Sequence, residues 1–258
     1  MKSTVGAAAT LAVAVLVAAC SSSSTDSSST SDGAGAPITV FAAASLKATF
    51  TELGARFEQD NPGATVTFNF AGSSDLVTQL TQGAPADVFA SADVKNMTKA
   101  VDAGLVAGEP VNFATNTLTI VTQPGNPLQI MTFADLAKPG TQVVVCAPQV
   151  PCGSATEKVE RATGVTLTPV SEESAVTDVL GKVTSGQADA GLVYVTDATA
   201  ARDEVTAIPF PEAGEAVNTY PITVLEDSAN TAAAQAFIDL VTGPTGQQAL
   251  AAAGFAAP

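Results

Sequence analysis

Apolar and polar positions along this chain switch between two periods. Residues 38–42 are a short apolar run behind Pro37, the pattern of a buried strand. From 44 to 61 the period changes. Leu46, Phe50, Leu53 and Phe57 recur at helical spacing, and Asn61-Pro-Gly ends the run. The alternation continues to the C-terminus. Strands are predicted at 65–70, 86–90, 117–122, 141–146, 190–195, 205–208 and 219–225. Helices are predicted at 74–82, 94–103, 154–163, 174–185, 231–241 and 245–253, with a helical turn at 133–137. Strands alternating with helices imply an α/β fold, with parallel sheets covered by helices on both faces.

Two strand–helix junctions carry small residues and serine: Ala42-Ala-Ala-Ser45-Leu and Phe70-Ala-Gly-Ser-Ser74. A helix start leaves main-chain N–H groups unpaired, and its dipole favours negative charge. Two such junctions suit a small anion held by neutral donors. Taken alone, Ser45 is an ordinary N-cap candidate.

The N-terminus is a processing signal. Lys2 precedes an apolar run of roughly 14 residues, shorter than the ~20 that span a bilayer. Val17-Ala18-Ala19-Cys20 has the form of a bacterial lipobox, with an ordinary signal peptide as the alternative. Residues 1–19 are therefore assigned as signal peptide. Residues 20–36 are read as a lipidated Cys20 and a flexible Ser-rich tether without an apolar payload. Localisation follows: extracytoplasmic and lipid-anchored to the bacterial cell membrane.

Net charge is −15, which argues against nucleic acid as a partner. Charge of the same sign does not exclude an anion ligand, because long-range repulsion is screened beyond ~8 Å at physiological salt. The chain contains no histidine, so it holds no Ser-His-Asp triad and no His-Glu-x-x-His zinc site. No nucleophile elbow or Walker loop is present either, and the chain is read as a non-enzyme. With Cys20 lipidated, Cys146 and Cys152 remain as an even pair in an exported chain. A structural disulfide is favoured over a redox pair or half a metal site.

Five segments carry a specific resemblance: Val40-Phe-Ala-Ala-Ala-Ser-Leu46, Phe70-Ala-Gly-Ser-Ser74, Gly83-Ala-Pro-Ala-Asp-Val-Phe-Ala-Ser-Ala-Asp93, Gly191-Leu-Val-Tyr-Val-Thr-Asp197 and Tyr220-Pro-Ile. With them, residues 37–255 resemble the periplasmic molybdate-binding proteins, the solute receptors of molybdate ABC importers. The resemblance implies a two-lobed periplasmic-binding-protein fold with two mostly parallel sheets and two crossover hinge strands, near 116–120 and 219–224. Lobe I would comprise 37–116 plus 222–258, and lobe II 117–221. It implies binding of molybdate or tungstate between the lobes, delivery to a membrane permease, action as a monomer and no cofactor.

The same resemblance nominates the ligand set. Ser45 and Ser73 would give hydroxyl and main-chain N–H, Cys152 and Val176 main-chain N–H alone, and Tyr194 its hydroxyl. The metal would be met only through its oxygens. Cys152 stands where the family often has alanine, which suffices if only the N–H acts. Ser73 and Ser74 compete for one role, and Ser73 is favoured. Tyr194 has a core-aromatic alternative. Asp75 is expected in the first turn of a helix, facing water. Inside the pocket it would instead suit a protonated anion such as phosphate. Sulfate and phosphate receptors are the nearest rivals, and an iron receptor would lean on Tyr194 with Tyr220.

Overall fold

The computed structural model describes residues 33–258. The signal peptide, Cys20 and the tether through residue 32 lie outside the described residues.

The first sheet contains β1 (Ile38–Ala43), β2 (Val66–Ala71), β3 (Val88–Ala90), β4 (Val111–Asn116) and, from the far end of the chain, β10 (Asn218–Val224). Its order is β2-β1-β3-β10-β4. The second contains β5 (Leu118–Thr122), β6 (Val143–Cys146), β7 (Ser171–Glu173), β8 (Ala190–Tyr194) and β9 (Thr206–Ile208), in the order β7-β6-β8-β5-β9. In each sheet four strands share one direction and one is reversed: β10 in the first, β5 in the second. Each reversed strand directly follows a crossing between lobes.

The helices of lobe I are α1 (Lys47–Asp60, entered through a 3-10 turn at Ala44–Leu46), α2 (Ser73–Thr81), α3 (Val94–Asp102), α7 (Thr231–Thr242) and α8 (Pro244–Ala252). Lobe II carries α4 (Pro151–Thr163), α5 (Val176–Thr184) and α6 (Val195–Ala201). The helical period of α1 buries Phe50, Leu53 and Phe57 against the first sheet. There Phe237 meets Phe50 and Phe57 edge-on at 5.8 and 5.7 Å between centroids. Lobe II is held mainly by Val, Leu, Ile and Ala. Gly191 in β8 allows α5 close, since a Cβ there would lie 2.7 Å from Val179 Cγ1.

The structure corrects several boundaries. The second crossing falls at Val217, not between 221 and 222, because all of β10 pairs in the first sheet from Asn218 onward. Pro221 marks a bulge inside that strand and does not begin it. Ala36, assigned to the tether on composition, is already buried in the lobe I core. Helix α4 starts at Pro151, three residues before its predicted start, with proline in the first turn, where its missing N–H costs nothing. Strands β4 and β7 and helix α6 were not foreseen. Strand β7 is Ser-Glu-Glu at a sheet edge and has no apolar period to read.

Candidate functional site

Three helices and a 3-10 turn begin at one place. The turn at Ala44 and helix α2 come from lobe I, and α4 and α5 from lobe II. Their N-cap residues are Ala43, Gly72, Val150 and Ala175, and no side chain caps any of them. At the start of α3, by contrast, Asp93 accepts from the N–H of Asn96 at 2.8 Å and caps the helix. In α2, α4 and α5 the first N–H groups bonded to a main-chain acceptor belong to Asp75, Ser154 and Asp178. The N–H groups of Ser73, Cys152 and Val176 come earlier, among those that a helix start leaves over.

These starts enclose a cavity whose lining includes Ser45, Ser73, Cys152, Val176 and Tyr194. All five predicted site residues are thus brought together. The cavity has about 10 Å³ of room, the scale of a single water.

Two of the hydroxyls are prepared as donors. Ser73 Oγ accepts from the N–H of Ala92 at 3.0 Å, which leaves its own proton to give. Tyr194 Oη accepts from Asn218 Nδ2 at 2.8 Å, with the same effect. Ser45 Oγ and Tyr220 Oη are 3.0 Å apart. Burial pushes both tyrosine hydroxyls far above their ordinary titration range, so they stay protonated.

Sequence reasoning missed this supporting layer. Asn116 and Asn218 face each other in the β4–β10 register, one beside each crossing. Asn218 reaches Tyr194 of lobe II, and Asn116 Nδ2 donates to Thr196 Oγ1 at 2.8 Å. Tyr220, one of only two tyrosines in the chain, was the one available signal.

Ser73, not Ser74, lines the cavity, and Asp75 is not in its lining. Asp75 sits half-buried in the first turn of α2. Cys146 and Cys152 are joined as a disulfide. The loop it closes packs onto the start of α4 so tightly that a Cβ at Gly153 would lie 2.0 Å from the carbonyl oxygen of Ala147. Asp197 accepts from the N–H of Tyr194 at 3.0 Å, and burial raises its pKa to about 7. It faces a neighbouring cleft of about 750 Å³ that also holds Lys47 and Arg202 and shares Ala44 and Ser45 with the cavity.

Two α/β lobes, crossed twice by the chain and meeting over helix starts, define a two-lobed solute-binding protein. The family model described as bacterial extracellular solute-binding protein matches residues 38–256, and the chain belongs to that family. A molybdate-binding protein of Mycobacterium tuberculosis is 58% identical over 221 residues, 86% of this chain and 85% of that one. The molybdate-binding protein of Escherichia coli is 32% identical over 228 residues, 84% of this chain and 88% of that one. Among solved structures, the periplasmic molybdate-binding protein of Azotobacter vinelandii superposes with a TM-score of 0.75 at 25% identity. That match covers 86% of this chain and 99% of the other.

Proposed function

We propose that this chain is the extracytoplasmic receptor of an ABC importer, that it closes on molybdate or tungstate, and that it presents the anion to a permease. One observation carries the reading: the cavity lining holds no carboxylate and no basic side chain, only serine and tyrosine hydroxyls beside helix starts. Uncapped N–H groups arrive from both lobes, and two of the three hydroxyls already accept from a protein donor. Such a lining suits an oxyanion without protons. Each charge-assisted bond is worth ~1.5–3 kcal/mol, and fixed dipoles need no reorganisation to make it. A phosphate receptor must also accept a proton from its ligand, and the carboxylate nominated for that, Asp75, is not in the lining. A ferric site would lean on Tyr194 together with Tyr220, and Tyr220 is not in the lining.

The ligand set is Ser45, Ser73, Cys152, Val176 and Tyr194, with no direct metal ligand and no cofactor. Anchoring through lipidated Cys20 and action as a monomer complete the proposal; Val17-Ala-Ala-Cys20 supports the anchor. Binding requires the lobes to open and then close, and a ligand that touches both lobes shifts that equilibrium.

Thermal melting with molybdate, tungstate, sulfate and phosphate tests the reading. Stabilisation is expected with the first two, about 2.7 kcal/mol at a hundredfold excess over Kd. Stabilisation by phosphate or sulfate alone would overturn it.

A further inference from the structure

Gly72 is a glycine that its own backbone does not require. Its φ of −60° and ψ of 139° are open to any residue. The reason for glycine lies across the cleft. A Cβ built on Gly72 would sit 2.0 Å from the carbonyl oxygen of Ser174 and 3.4 Å from Val150 Cγ1, both in lobe II. The first contact is with backbone, so no rotamer change relieves it.

The position of this contact gives it a function. Gly72 is the N-cap of α2 and precedes Ser73. Val150 is the N-cap of α4, two residues before Cys152. Ser174 stands two residues before Val176, the first residue of α5. One hydrogen atom thus separates the start of a lobe I helix from the approaches to two lobe II helices. All three supply N–H groups to the cavity.

We infer that Gly72 sets how far the lobes close: its missing side chain lets the N–H groups of Ser73, Cys152 and Val176 face one anion. Gly72 is a positioning residue, and the inference rests on the receptor reading above. A methyl group there holds the two walls apart only in the closed form. The open chain has space for it. The substitution therefore acts on the closing step and not on folding.

The chain carries its own reporter. It has no tryptophan, and both of its tyrosines lie at the site, 6.0 Å apart between ring centroids. Tyrosine fluorescence then follows binding in stopped-flow mixing. The experiment compares the intact chain, Gly72→Ala and Gly181→Ala with molybdate. Gly181 is the control, because a Cβ there meets nothing within 4 Å.

The expected result has three parts. Gly72→Ala keeps the ligand-free melting midpoint. It loses at least tenfold in affinity, mostly through faster release. Gly181→Ala binds like the intact chain. Wild-type affinity and release rate in Gly72→Ala would overturn the inference. So would loss of its cooperative ligand-free melting, which would assign Gly72 to folding. An intact chain that responds to no oxyanion would overturn the receptor reading instead.

Discussion

The two walls of the cavity are built from different chemistry. Lobe I presents serine side chains, Ser45 and Ser73, on the starts of its helices. From lobe II, Cys152 and Val176 have side chains that offer no strong donor, so in the proposed receptor their contribution is main-chain N–H. Tyr194 is the exception, and it is held by Asn218 from lobe I. The difference teaches how each wall tolerates change. A hydroxyl wall is lost by point mutation to alanine. A main-chain wall survives almost any side-chain substitution and is lost only when the backbone itself is altered.

The strongest test of that contrast is Val176→Pro. Val176 is the first residue of α5, where proline is tolerated, and Ala175 before it has φ −143° and ψ 150°, as a residue before proline prefers. The helix should persist while one N–H disappears. Titration should show molybdate affinity reduced about tenfold to a hundredfold, one bond of ~1.5–3 kcal/mol. Val176→Ala, which keeps the N–H, should stay within a few-fold of the intact chain. Equal losses in both variants would refute a main-chain wall.

Ser73→Ala should cost about tenfold in affinity. It should also lower stability by ~1–2 kcal/mol, because the buried N–H of Ala92 loses its acceptor. Denaturant melting without ligand separates the two effects.

Reduction of Cys146–Cys152 should act on the lobe II wall alone. The closed loop is short, so the chain-entropy gain is about 2 kcal/mol. A lower melting midpoint and a several-fold weaker affinity are expected, and unchanged affinity would show that α4 is positioned without the bridge.

The smallest effect on binding belongs to Asp197. Its pKa rises from 3.8 to about 7 on folding, through burial. Between those values the folded chain binds a proton that the unfolded chain lacks. Stability should therefore fall as pH rises across that window and level off above it. Asp93, also raised by burial, adds a slope of the same sign. Asp197→Asn should flatten the Asp197 contribution and leave affinity near neutral pH unchanged. A slope as steep as that of the intact chain would assign it elsewhere.

Much of the fold was legible because strong periods mark elements whose faces are buried. Leu46, Phe50, Leu53 and Phe57 announced the first helix, and residues 190–195 read as a buried strand, of which Ala190–Tyr194 form β8. Elements without such a period stayed hidden. Strand β7 owes its existence to pairing with β6, and helix α6 is a short Ala- and Thr-rich segment. Ser45, Ser73 and Tyr194 were legible as polar groups at strand ends, but Cys152 and Val176 could be named only by resemblance. A main-chain donor leaves no mark in the side chain that sits on it.

The sequence by itself therefore determined the α/β alternation, the exported character of the chain and its serine-bearing turns. These follow from local periodicity and from the chemistry of single residues. Tertiary structure alone decided that four uncapped starts meet at one cavity, and that Asn218 turns the Tyr194 hydroxyl into a donor. It also decided that the glycine before Ser73 is the seam between the lobes. Each of these is a distance between residues far apart in the chain, and no local pattern encodes such a distance.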